Sequence, residues 1–133
     1  MSFKVGDRLE RKVVITDKMV RQFAELSGDV NPIHMDEEFA KTTRFGRRIA
    51  HGMIAGALIS RVLAMDLGGG GIYLSQSLKF LSPIFIDDEV TVELYVKAMR
   101  EESGIGTIET LVRKANGEIA VKGDAMIMRG EFV

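Results

Sequence analysis

The 133-residue chain is 46% hydrophobic and 28% charged, an ordinary soluble composition at a length that fits one domain, taken as residues 1–133. A formal charge of −1 gives no drive toward nucleic acid, and with no cysteine and two histidines no disulfide framework, zinc site or other cofactor is expected. The segment Met1-Ser2-Phe3-Lys4-Val5-Gly6-Asp7 lacks the apolar core of a signal peptide, and the longest apolar run, Met53 to Ile59, is too short to span a bilayer. A cytoplasmic protein without membrane contact is therefore expected.

In chain order, Val13, Val14 and Ile15 mark a strand within residues 9–16, and Thr16 caps a helix. Its Met19, Val20, Phe23 and Leu26 recur at three- and four-residue spacing until Ser27-Gly28 ends it. From Gly28 to Ala50 the chain is polar, carries Pro32, Gly46, Lys41, Arg44, Arg47 and Arg48, and reads as an irregular excursion with one short helix at 36–42. Such excursions in small domains tend to carry function. Asp29-Val30-Asn31-Pro32-Ile33-His34 lies inside it, placing a carboxylate, an amide and one of two imidazoles in a proline-stiffened hexapeptide. Pro32 biases Asn31 away from helical geometry, so Asp29 and His34 converge across a bend instead of riding successive turns of one helix. With one water between them, such a pair can move protons between oxygen and carbon. A capped turn without chemistry fits the same residues.

His51-Gly52-Met53 opens the next helix, Gly52 to Leu67, which is apolar on nearly every side and reads as buried. Its first N–H groups have no partner within the helix and attract negative charge, and a side-chain-free Gly52 admits a ligand oxygen close to the backbone. Gly52, Gly56, Ser60 and Ala64 form a small-residue stripe, either a groove for an acyl chain at Gly56 and Ser60 or a surface for close packing. Gly68 to Gly71 then read as a flexible connector. Strands follow: one over residues 72–81 closed by Pro83, one in which Val90, Val92, Leu94, Val96 and Ala98 alternate with Thr91, Glu93, Tyr95 and Lys97, and a hairpin turning at Asn116-Gly117. An apolar helix beside a meander of strands packs along one face of a curved antiparallel sheet, an α+β arrangement.

Ser27-Gly28-Asp29-Val30-Asn31-Pro32-Ile33-His34, Phe39-Ala40, Ile49-Ala50-His51-Gly52-Met53 and Tyr73-Leu74-Ser75-Gln76-Ser77-Leu78-Lys79-Phe80 together resemble MaoC-like (R)-specific enoyl-CoA hydratases over nearly the whole chain. The resemblance implies a hot-dog fold, a central helix wrapped by an antiparallel sheet, in a homodimer with the acyl-CoA thioester bound near the subunit interface. It also implies that Asp29 and His34 are the catalytic pair, that Asn31 positions them, and that the Gly52 N–H binds the thioester oxygen. His51 is then expected to hold its turn by hydrogen bonding and not to act chemically. The other readings are a hot-dog thioesterase and a non-catalytic acyl-CoA-binding protein; the Asp29–His34 pair favours hydration.

Overall fold

Period-two patterning in the C-terminal half produces a six-stranded antiparallel sheet in the computed structural model, which describes residues 3–67 and 69–133. Met1, Ser2 and Gly68, and the sequence readings that fall on them, lie outside the described residues. The strands are β1 (Arg8–Val14), β2 (Ile72–Gln76), β3 (Lys79–Phe80), β4 (Glu89–Arg100), β5 (Ile105–Lys114) and β6 (Ile119–Met128). They lie in the order β1-β4-β5-β6-β2, and β3 also pairs with β6. Asn116-Gly117 turns the β5–β6 hairpin, where Gly117 takes a φ of 88° that a side chain would resist.

Two strand readings need correction. The strand expected over residues 72–81 is two strands, with a register shift between Tyr73 and Ser75 and a break at Ser77-Leu78. At that break the Ser77 N–H donates to the Asp124 carbonyl (2.9 Å), and the Ser77 carbonyl crowds onto Gly123. In β4 the alternation holds through Val90, Val92, Leu94 and Val96, which are all buried, but a bulge between Val96 and Ala98 inverts it. Ala98 is exposed and Met99 packs on the core instead, because one extra residue swaps the faces of a period-two strand. On the outer face of β4, Glu93 is buried as well, accepting from Arg113 Nε (2.7 Å) and Tyr95 Oη (2.8 Å). Those donors, Arg113 foremost, hold its carboxyl below the usual range.

Helix α1 (Asp17–Ser27) begins where Thr16 Oγ1 accepts from the Met19 N–H (3.1 Å) and ends where left-handed Gly28 donates to the Ala24 carbonyl. Val20 and Ala24 carry its burial, while Leu26 is 85% exposed and does not join the stripe. The excursion holds two short helices, α2 (Pro32–Met35) and α3 (Glu37–Lys41), where one was expected. Asn31 and Asp36 each cap their own helix, so what reads as a bend followed by a cap is a pair of capped turns.

The central helix α4 (Gly52–Val62) continues as a π-helical turn over Leu63–Leu67. Ile54, Ala55, Leu58, Ile59, Val62 and Leu63 are buried in the core between α4, α1 and the sheet, and each large side chain among them contributes on the order of 2 kcal/mol relative to exposure. Burial on every side is not what the fold provides. Met53 and Met65 are 53% and 74% exposed, because the sheet and α1 leave one side of the helix open. Arg61 is exposed on that open side. The helix along a curved antiparallel sheet is the hot-dog arrangement, and among the described residues no helix is long and apolar enough to cross a membrane.

Candidate active site

The excursion folds back so that the start of α2 meets the start of α4. Ser27 Oγ accepts from the Asp29 N–H (3.1 Å), and one Asp29 carboxylate oxygen accepts from the Asn31 N–H (3.2 Å). Asn31 Oδ1 in turn accepts from the Ile33 N–H (3.2 Å), capping the helix that carries His34. Asn31 thus joins the two candidate proton-transfer groups through backbone and side chain. Pro32 at the first turn of α2 costs no hydrogen bond, since that N–H would lack a helical partner anyway.

His34 Nδ1 lies 2.8 Å from the Ile49 carbonyl. A carbonyl can only accept, so Nδ1 carries the proton and the neutral ring keeps its lone pair on Nε2. His51 is 3% exposed, and its Nε2 donates to the Asp29 carbonyl (2.8 Å), the turn-holding role expected of it. Its Nδ1 is buried without a hydrogen-bond partner, and its ring packs on His34 (4.1 Å between centroids) and Phe23 (4.9 Å). Asp29, His34 and His51 bring one polar side-chain atom each within 4.8 Å of one another. This three-group cluster exceeds the sequence expectation of a pair. The two rings are tilted by 32°, and one nitrogen of each already meets a main-chain carbonyl, which leaves one imidazole nitrogen apiece beside the Asp29 carboxylate.

A cavity of about 420 Å³ is bounded by His34, Ala50, His51 and Gly52 on the helical side and by Phe80 and Ile84 on the sheet side; Asp29 and Asn31 are not among its lining residues. Gly52 is the first residue of α4 and carries an N–H the helix cannot pair. A β-carbon there would lie 2.7 Å from the Phe80 ring, so the glycine also permits Phe80 to close on the helix. Gly56 and Ser60 do not line this cavity. Leu78 lies over Gly56, 3.2 Å from where a β-carbon would stand, and Ser60 borders a separate hollow of about 60 Å³ with Leu63, Tyr73 and Ile127.

Two supporting groups carry little sequence signal. Arg48 turns inward, donating from Nε to the His34 carbonyl (2.6 Å) and from a terminal nitrogen to Asp17 (2.7 Å). Ile49 contributes only main-chain atoms, its carbonyl to His34 and its N–H to the Ile33 carbonyl (3.2 Å). Neither role follows from residue type.

A family model described as "MaoC like domain" matches residues 4–117. The chain belongs to that family. Among MaoC-like relatives, it is 43% identical to the (R)-specific enoyl-CoA hydratase of Aeromonas caviae over 127 residues, 95% of each chain. It is 40% identical to the enzyme of the same name from Rhodospirillum rubrum, over 94% of this chain and 87% of that one. The solved structure of the (R)-hydratase from A. caviae superposes with a TM-score of 0.93 over 96% of this chain and 98% of that one. The R-hydratase PhaJ1 from Pseudomonas aeruginosa does so at 0.91, with 41% identity, over 96% and 82%.

Burial pushes the His34 imidazole below its ordinary value of 6.5, and the His51 ring and Arg48 push the same way against the Ile49 hydrogen bond and Asp29. His34 is therefore neutral at pH 7, with its lone pair available. Its imidazole proton shift, followed by NMR, will titrate with a midpoint below 6.5; a midpoint above that value would show that Asp29 outweighs burial. As pH falls, the unfolded chain takes up this proton first, so the group lowers fold stability from about pH 6.5 downward.

Proposed function

We propose that the chain is an (R)-specific enoyl-CoA hydratase that adds water reversibly and syn to short and medium trans-2-enoyl-CoA, giving (R)-3-hydroxyacyl-CoA. The observation that carries this reading is His34, whose ring brings one nitrogen within 4.8 Å of the Asp29 carboxylate and lines the cavity that Gly52 borders. The names of the A. caviae and R. rubrum relatives support it.

Attack of water at the β-carbon drives charge onto the thioester oxygen. In this reading the Gly52 N–H, unpaired at the start of α4, binds that oxyanion, and loss of one such donor typically costs about 3 to 4 kcal/mol. The water proton passes to the Asp29–His34 pair, and the pair returns a proton to the α-carbon on the same face. Net addition is hydroxyl at the β-carbon and hydrogen at the α-carbon, and the pair ends as it began. The test is incubation with crotonyl-CoA, scoring hydration against release of free CoA, with product configuration read by an (R)-specific 3-hydroxyacyl dehydrogenase. Free CoA as the main product would move the assignment to a thioesterase, and binding without turnover to a binding protein.

The acyl tail runs from Gly52 along Gly56 and Ser60 toward the hollow beside Tyr73, with Leu78 shifting aside. This route is supported by the order of the two cavities along α4. Gly56→Leu or Ser60→Leu will then penalise octenoyl-CoA more than hexenoyl-CoA and crotonyl-CoA least, by about fourfold per methylene kept from its pocket. An unchanged ratio of specificity constants would leave the stripe a packing surface. The working unit is a homodimer, supported by the open sheet edge formed by β2 and β3, where Ile72 and Leu74 of β2 and Phe80 of β3 are 44 to 54% exposed. Light scattering at the 14.7 kDa mass of one chain under assay conditions would refute the dimer.

A further inference from the structure

Four cations lie in the excursion, and the fold treats them differently. Lys41 pairs with Glu38 (3.2 Å) and Arg48 is committed to Asp17 and the His34 carbonyl. Among the described residues no carboxylate oxygen lies within 4.0 Å of the Arg44 or Arg47 guanidinium. Each faces an aromatic ring instead, Arg44 at 4.9 Å over Phe45 and Arg47 at 4.0 Å over Phe85. Stacking fixes the plane of a guanidinium and leaves its N–H edge free for an anion.

Their positions bear on the site. Exposed Arg44 lines the rim of the catalytic cavity, and Arg47 lines an adjoining hollow of about 370 Å³ with Phe85, Lys114 and Asn116. One stretch of chain separates the two spaces: Ser82, Pro83 and Ile84 border the first and Phe85 the second, and Lys114 Nζ braces this wall at the Pro83 carbonyl (2.7 Å). Of the acids in the second hollow, Asp88 is engaged by the Phe85 N–H (2.8 Å) and by Lys114 (3.8 Å), which leaves Glu89 as its one opposing charge.

We propose that Arg44 and Arg47 form a ledge that binds the phosphate groups at the far end of the substrate's pantetheine arm. The inference rests on the hydratase reading, in which the thioester lies at Gly52 and its arm leaves through the rim. A phosphate ester on pantetheine is common to CoA and to the prosthetic arm of an acyl carrier protein, and guanidinium groups match phosphate geometry.

The test compares crotonyl-CoA, crotonyl-4′-phosphopantetheine and crotonyl-pantetheine as substrates of the native enzyme and of Arg44→Gln, Arg47→Gln and the double variant. In the double variant the specificity constant for crotonyl-CoA, relative to that for crotonyl-pantetheine, will fall about tenfold or more, through KM and not kcat. A parallel fall with phosphopantetheine places the contact on the phosphate shared with carrier proteins, and a fall with CoA alone places it on the adenosine-side phosphates. An unchanged ratio, whether all substrates suffer equally or none does, overturns the ledge. Failure of the native enzyme to hydrate any of the three would instead overturn the hydratase reading.

Discussion

Asp29→Asn and His34→Ala will each lower crotonyl-CoA turnover by at least about a hundredfold in protein that still melts cooperatively. In the proposed mechanism each change removes a group that handles a proton, and each leaves the cavity wall largely in place. Asp29→Asn keeps an oxygen for the Asn31 N–H. His34→Ala loses the bond to the Ile49 carbonyl, but the Ile49 N–H still holds the Ile33 carbonyl across the same junction. The double variant will lose much less than the product of the single losses, because under the proposed mechanism the two groups pass one proton and act as a unit. Near-native turnover in either single variant would remove the pair from the mechanism.

Gly123→Ala will be the most damaging small substitution in the sheet. A β-carbon there collides with the Ser77 carbonyl oxygen and stands 2.6 Å from the Ser77 carbonyl carbon, atoms of main chain that no rotamer change can move aside. The Ser77 N–H is itself tied to the Asp124 carbonyl and Ser77 Oγ accepts from the Asp124 N–H, both at 2.9 Å, so retreat breaks two hydrogen bonds. Destabilisation of about 3 kcal/mol is expected, at the upper end for overpacking. Urea unfolding measures it, and a shift below about 1 kcal/mol would mean that the junction of β2 and β3 yields freely. Since Phe80 of β3 closes over Gly52, the folded fraction of this variant should also show altered KM.

Local signals in the chain were legible where the physics is local. Thr16 and Gly28 bound α1 through contacts three or four residues away, Asn116-Gly117 makes its turn from its own backbone, and Asp29 with His34 sits in a single capped segment. What depends on a distant partner was not legible. The bulge after Val96 answers to β5, the break at Ser77 answers to Gly123 on β6, and the bracing of His34 comes from a carbonyl fifteen residues away. The open side of α4 was misread for a related reason: apolar composition says that a surface avoids water, without saying whether this chain or another one covers it.

Both imidazoles at the site take their orientation from main-chain oxygens, His34 from Ile49 and His51 from Asp29. Carbonyl groups are common to every residue type, so the tautomers are encoded in the path of the chain and not in the side chains at positions 29 and 49. Replacing the Asp29 carboxylate therefore leaves intact the backbone oxygen that orients His51, and changing the bulk of Ile49 leaves the acceptor of His34. The nitrogen of each ring that meets no carbonyl is thereby insulated from sequence drift among its neighbours, and such drift can alter the shape of the cavity without exchanging the two ring nitrogens.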